Sequence, residues 1–350
     1  MNTLAERLAG HDFVRVHRAE PIVALRRIGA STEVELASSS QSSSAASGRA
    51  HDTLSPPPTV KTIRHETPTQ FLAATGAFLA AREALNNMFF GDVGDALGGR
   101  YSGGDNLWLS AHEGDEVVGA ALQTPPYELA FAYGSSTDAV VALAREALSQ
   151  RVDALDALRA SPAHVSALEA ALDRVYERVE AVGIYELTRV VPPPPVPGRM
   201  RATVAADLDR VVELGLGFAD ETGAVRSQGS ALVARVEALM RSGAFVVWEL
   251  DGELVSLAAA RGPTPRGIRV SWVYTPRELR GRGYASALVA ALSRRELDAG
   301  REFCFLFTDL ANPSSNRVYR RVGYRQVGEQ GVYRRSRSGR RPSPVAGERA

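Results

Sequence analysis

Two stretches in the C-terminal third of the chain hold the groups best suited to chemistry. The first, Tyr274-Thr275-Pro276-Arg277-Glu278-Leu279-Arg280-Gly281-Arg282-Gly283-Tyr284-Ala285-Ser286, follows a strand pattern and opens a helical one on glycines. A glycine turn at a helix start presents unpaired backbone N–H groups and the positive end of the helix dipole, which suits a pyrophosphate. Arg280 and Arg282 add charge of the right sign. A lone G-x-G is also what an ordinary turn looks like, so specific nucleotide signatures must be tested against it. A Rossmann fingerprint places its glycines directly after the strand, a third glycine or alanine at a set position, and an acid about 20 residues on. Here Thr275 to Arg280 intervene, Ser286 stands at the third position, and Asp309 lies well past that spacing. A P-loop needs Gly-Lys-Ser/Thr, and the only lysine of the chain is Lys61.

The second stretch runs from Asp309 through Asn312-Pro313-Ser314-Ser315-Asn316-Arg317-Val318-Tyr319 to Gly323-Tyr324. Asn312 is a good N-cap, Pro313 suits the first helical position and Gly323 suits the stop, so the spacing predicts one short helix over 313–322. As caps and core alone, these residues would not account for both stretches occurring in this order and separation.

The inventory of the other reactive side chains is exclusive. The single cysteine, Cys304, lies in the apolar run Phe303 to Phe307 and reads as a buried strand residue rather than a nucleophile. All six histidines, His11, His17, His51, His65, His112 and His164, precede the C-terminal half. That half can therefore build neither a Schiff base nor a Cys-His or Ser-His pair, and no metal site is expected. Its chemistry must use carboxylates, hydroxyls, phenols, guanidiniums and backbone groups.

The elements that must position these groups follow from periodicity and punctuation. Residues 1–58 are serine- and proline-rich toward their end and read as a mostly disordered extension. The Pro-rich segment 192–197 can be neither helix nor central strand and divides the remainder into 59–191 and 198–335, with a basic, solvated tail over 336–350. In the C-terminal part the pattern predicts helices over 206–219, 230–241 and 284–299, strands over 199–203, 244–250, 254–261, 268–274 and 303–308, and a closing strand pair within 325–333 turning near Gly328 to Gly331. A hairpin pattern, an apolar strand then Asp-Gly or Gly-Asp then another, occurs at Leu107 to Pro125 and again at Ala244 to Pro263, which suggests a duplicated fold. The class is α/β, α+β by some schemes: two domains, each a mixed, mainly antiparallel sheet flanked by helices. Secretory and membrane-spanning signals are missing, so a cytoplasmic protein is expected.

At this point the chain resembles the GNAT superfamily of acyl-coenzyme A-dependent N-acyltransferases. The R-x-x-G-x-A of Arg280 to Ala285, then the N-P-x-S-N-x-x-Y-x-x-x-G-Y of Asn312 to Tyr324, carry the resemblance over about 197–333. The first half reads Gly134-Ser135-Ser136-Thr137-Asp138 where the phosphate loop should be, and so resembles a degenerate member. By this resemblance, backbone groups of Val273 and Tyr274 hydrogen-bond pantetheine. The loop Arg280, Gly281, Arg282, Gly283, Tyr284, Ala285 and Ser286 holds the pyrophosphate. Asn312 contacts the pantetheine arm, Asn316 lies near the phosphates, and Tyr319 is the general acid. A phenol of reference pKa about 10 can protonate a departing thiolate of about 8.5, with no covalent enzyme intermediate. Glu221 is the candidate base, with Glu249 or a water chain as alternatives.

The expected reaction moves an acetyl or other acyl group from acetyl-CoA to a primary amine within a ternary complex. A non-catalytic acyl-CoA sensor is the alternative, and a dinucleotide-dependent oxidoreductase a weaker one. Expected partners are acyl-CoA and an amine, neither membrane nor nucleic acid, with the chain a monomer or dimer. The motifs leave the acceptor and acyl chain open.

Overall fold

The computed structural model describes residues 60–99, 101, 105–222 and 229–336. The expectations for the N-terminal extension and for the tail beyond Ser336 lie outside the described residues.

The element order runs twice. The first pass is β1 (Lys61–Arg64), α1 (Pro68–Ala80), α2 (Asn87–Leu97), β2 (Leu107–Glu113), β3 (Glu116–Gln123), β4 (Leu129–Phe131), α3 (Thr137–Gln150), β5 (Ala157–Ala160), α4 (Pro162–Leu172) and β6 (Tyr176–Leu187). The second is β7 (Arg199–Ala202), α5 (Leu208–Thr222), α6 (Gly229–Arg241), β8 (Phe245–Leu250), β9 (Glu253–Arg261), β10 (Gly267–Tyr274), α7 (Tyr284–Asp298), β11 (Phe303–Asp309), α8 (Pro313–Val322) and β12 (Arg325–Arg335). Both hairpins turn on two residues: Asp251 and Gly252, both with positive φ, join β8 to β9, as an Asp-Gly pair favours. Helix α8 starts where Asn312 Oδ1 accepts the Ser315 N–H and stops at Gly323, whose φ of 108° a side chain would oppose.

The strands form one mixed, mainly antiparallel sheet in the order β1-β2-β3-β4-β5-β12-β6-β11-β10-β9-β8-β7, flanked by helices on both faces. The parallel neighbours are β4–β5 and β10–β11, each joined by a crossover through one helix, α3 or α7. The proline-rich segment does not interrupt the sheet. Instead the last strand of each pass lies beyond the other pass's parallel pair: β6 pairs with β11, and β12 pairs with β5. The two exchanged strands also pair with each other, from Arg325↔Glu186 to Arg335↔Tyr176.

The expected closing strand pair within 325–333 is a correction. Residues 325–335 make a single strand, because both of its edges are taken, by β5 and β6. The glycines there serve close packing rather than a turn: a Cβ at Gly328 would come within 2.5 Å of Leu85, and one at Gly331 within 2.3 Å of the Tyr333 ring.

In the second pass, Ile268, Val270, Cys304 and Leu306 face α7 and α8, where Leu288, Val289 and Leu292 are buried with them. Burying each such side chain contributes about 1.5–3 kcal/mol. The other face packs Val211, Leu214 and Val236 of α5 and α6 against Phe245, Val247 and Leu257. Among the described residues no helix is long and apolar enough to cross a membrane.

Candidate active site

The site begins where two parallel strands part. β10 and β11 are in register only at Gly267↔Phe303, Ile268↔Cys304 and Arg269↔Phe305. β11 then stays paired with β6 as far as Asp309↔Val182. β10 meanwhile shifts register against β9 between Ser271 and Tyr274. Within that bulge Trp272 has φ 55°, which costs a bulky residue about 1–3 kcal/mol and persists only where its surroundings enforce it. They do: the Trp272 ring stacks on Phe218 at 5.1 Å and meets Phe245 edge-on at 5.6 Å. Strand alternation would put Trp272 on the α7 face with Ile268 and Val270. The bulge turns it to the α5/α6 face and leaves Val273 against the α7 cluster. The gap between β10 and β11 is therefore lined on one side by β10 backbone that is out of register with β9, and on the other by β11, still paired with β6. The carbonyl of Tyr274 accepts a hydrogen bond from Ser256 Oγ at 3.0 Å, so the outer end of the gap is anchored to β9.

At the mouth of the gap the chain turns through Gly281 (φ 78°) and Gly283 (φ 88°) into α7. No side chain caps this helix; its first internal bond is Ala287 N–H to the Gly283 carbonyl. Helix geometry leaves the preceding N–H groups without intrahelical acceptors. A Cβ at Gly281 would meet nothing within 4 Å, whereas one at Gly283 would come within 2.9 Å of Val196 in the Pro-rich segment. The corresponding turn of the first pass is closed. Ser136 Oγ accepts from Ala139 N–H at the start of α3, Ser135 Oγ accepts from Ala120 N–H, and a Cβ at Gly134 would meet the Arg82 guanidinium at 2.5 Å.

Arg280, expected at the cofactor, binds Glu221, expected as the base. Arg280 Nη2 donates to Glu221 Oε2 at 2.7 Å, Arg277 Nε donates to Oε1 at 3.1 Å, and the Tyr274 hydroxyl donates to Oε1 at 3.3 Å. Burial alone would raise the Glu221 carboxyl, but the two guanidiniums outweigh it and hold the group below its ordinary value. The carboxylate expected to act as the base is thus held by two arginines. It acts as an internal anion on cationic groups at the loop. Glu249 is also engaged, by Arg201 and by Arg199, and Arg201 lowers its carboxyl in the same way. The Arg282 guanidinium donates to the Glu278 carbonyl at 3.3 Å.

Tyr319 is buried under α7 and α8, its ring edge-on to Tyr324 at 6.0 Å. Burial pushes its phenol up to about 12, so it keeps its proton at any working pH. Asn316 is buried, and its Nδ2 donates to the carbonyls of Asp309 and Leu310, both at 3.2 Å. Those bonds tie α8 to the end of β11. Asn316 Oδ1 is buried without a partner and is a ready acceptor for an amide N–H. Asn312 is exposed and caps α8. Cys304 is enclosed, its thiol raised to about 12 by burial, and donates to the Ser293 carbonyl.

Sequence reasoning missed two features: the Trp272 bulge, and a cavity of about 350 Å³ on the α5/α6 face of the gap. A signal for the second was present, since Arg269 interrupts an otherwise apolar strand.

A gap between two parallel strands, bordered by a bulge on one side and an uncapped helix on the other, is the distinguishing feature of this α/β fold. Residues 219–324 match the model of the acetyltransferase (GNAT) family. No curated protein matches the sequence. Among solved structures, the chain is similar to a GCN5-related N-acetyltransferase from Sphaerobacter thermophilus, at 16% identity and TM-score 0.55, over 79% of this chain and 95% of that one. It is also similar to a tandem GNAT protein from the clavulanic acid biosynthesis pathway, at 17% identity and TM-score 0.50, over 79% and 98%. At these identities the likeness is one of fold.

Proposed function

We propose that the chain is an acyltransferase that moves the acetyl group of acetyl-CoA to a primary amine by direct attack in a ternary complex. The observation that carries this reading is the uncapped start of α7 behind Gly281 and Gly283, set beside the parted strands β10 and β11. The free N–H groups from Gly281 to Ser286, with Arg280 and Arg282, would hold the pyrophosphate. Val273 and Tyr274 would align the pantetheine arm along β10, and Asn312 and the unpartnered Asn316 Oδ1 would face it from the other wall.

In the reaction the amine nitrogen bonds to the thioester carbon, the C–S bond breaks, the thiolate takes a proton from Tyr319, and the amine releases one to water. A phenol near 12 gives up its proton less readily than a free one. The thiolate forms in the same dry surroundings, which raise its own proton affinity for the same reason. With Glu221 and Glu249 both paired to arginines, water is the proton's route from the amine. The first pass, with its turn filled by Ser135, Ser136 and Arg82, would bind no acyl-CoA and would serve as a wall of the acceptor side.

Calorimetry with acetyl-CoA and with NAD tests the reading: acetyl-CoA should bind with a stoichiometry near one, and binding of NAD alone would refute it. Adding a panel of primary amines and following free thiol separates turnover from a sensor, which would bind and release no thiol.

A further inference from the structure

The cavity on the α5/α6 face draws its walls from both passes of the fold. It reaches Phe307 and Val182, beyond the last β10–β11 pair, and Arg235, whose guanidinium lies 6.0 Å from the centre of the Trp272 ring. It thus opens on the gap from the face opposite α7, where the glycine loop lies. Its volume is at the small end of the roughly 300–1,000 Å³ of small-molecule sites.

Arg269 of β10 stands in this wall, with Asp92 and Asp95 near enough to favour its charge in part. Its Nε and Nη2 donate to the neutral Asn87 Oδ1 at 3.1 and 2.6 Å. Its guanidinium lies over Phe307 at 5.1 Å and Phe305 at 5.9 Å. Among the described residues no carboxylate comes within 4.0 Å of it. Burial, then the neighbouring Arg261, push its pKa down to about 10, so it remains a cation at neutral pH in surroundings that disfavour one. Helix α2 makes room for it with Gly91, where a Cβ would stand 3.3 Å from Nη2. A half-buried guanidinium bound to an amide oxygen keeps donors for an oxyanion and gains from one.

The rest of the lining decides which oxyanion. Arg159, Arg235 and Arg261 join Arg269, and Asp92, Asp95, Glu128 and Glu180 match them in number. Arg261 lies 3.9 Å from Asp95, and Arg159 lies 3.6 Å from Glu128. Balanced among the described residues, this lining gives a dianionic phosphate no net attraction and suits a molecule with one charge of each sign.

We propose that this cavity is the acceptor subsite and that it takes a primary amine bearing a carboxylate, which Arg269 holds. The proposal rests on the acyltransferase reading, and it gives the first pass a task, since α2, β4 and β5 build one side of the subsite.

The test uses the full chain, acetyl-CoA, the common L-amino acids and β-alanine, each against its carboxamide, and phosphoethanolamine against ethanolamine. Free-thiol release and calorimetry of each amine are read in parallel. At least one carboxylate should exceed its carboxamide tenfold or more in kcat/KM and bind measurably where the amide does not. Arg269→Gln should erase that difference by raising KM for the acid alone, and Arg269→Lys should restore part of it. Equal use of acids and amides, or preference for the phosphate, would overturn the carboxylate assignment while leaving acyl transfer standing. The wild-type comparison decides even if the variants fail to fold. If acetyl-CoA itself does not bind, the acyltransferase reading fails, and calorimetry of the acid–amide pairs still decides whether the cavity selects a carboxylate.

Discussion

At the residue scale the proposed mechanism separates groups that transfer protons from groups that hold charge. It assigns Tyr319 to the first kind: the side chain is buried, protonated and without a hydrogen-bond partner among the described residues, so Tyr319→Phe removes one oxygen and little packing. We expect kcat to fall about 10²-fold or more, the usual contribution of a general acid, with acetyl-CoA affinity within about threefold of wild type. Stopped-flow thiol release and calorimetry measure the two. Glu221 belongs to the second kind. Glu221→Gln should keep turnover, because its carboxylate is tied to Arg277 and Arg280, and should tighten acetyl-CoA binding severalfold by freeing Arg280; a kcat loss near 10²-fold would return the base role to Glu221. The pH dependence has a fixed sign. A carboxyl held below its ordinary value stabilises the fold above about pH 4.3 and loses that contribution as pH falls through its folded-state pKa. Glu221, Glu249 and Asp207 all share this direction, so the melting temperature should drop on acidification below about pH 4.3.

At the element scale two helix starts with the same place in the fold do opposite things. α3 is capped by its own Ser136, and α7 by nothing. Ser136→Ala should cost about 1 kcal/mol of stability and leave acetyl-CoA affinity unchanged. Gly283→Val forces a β-branched residue into a positive φ against Val196, and should weaken acetyl-CoA binding about tenfold or more. Thermal unfolding and calorimetry on both variants check the pair. An affinity loss in Ser136→Ala would mean that the first pass also binds the co-substrate. Helix caps and hairpin turns were legible in the sequence because they depend on residues within a turn of one another: Asn312 with Ser315, Asp251 with Gly252. The side that Trp272 faces was not, since the alternation of β10 reads straight through a bulge that only Phe218 and Phe245 hold in place.

At the scale of the whole molecule the exchanged strands decide what can stand alone. β6 belongs to the first pass by sequence, yet it fills the place between β11 and β12. A fragment of residues 198–335 would leave the β11 edge open beside the gap, a long unpaired edge that invites aggregation. We expect that fragment to be insoluble or unfolded, and the full chain to show one calorimetric transition with no separate melting of either half. A folded fragment that binds acetyl-CoA would show the exchange to be dispensable.

The sequence by itself determined most of the element order of the second pass, the glycine turn at the start of α7, the cap and stop of α8, and the absence of lysine and histidine from the C-terminal half. These are local, because a turn, a cap or a missing lysine needs no distant partner. Only the tertiary structure decided that Glu221 pairs with Arg280, that the two passes share one sheet, and that Arg269 bonds Asn87 at the wall of a cavity built from both. Each of those joins residues far apart in the chain, and their free energy comes from burial and charge pairing, which no local pattern encodes.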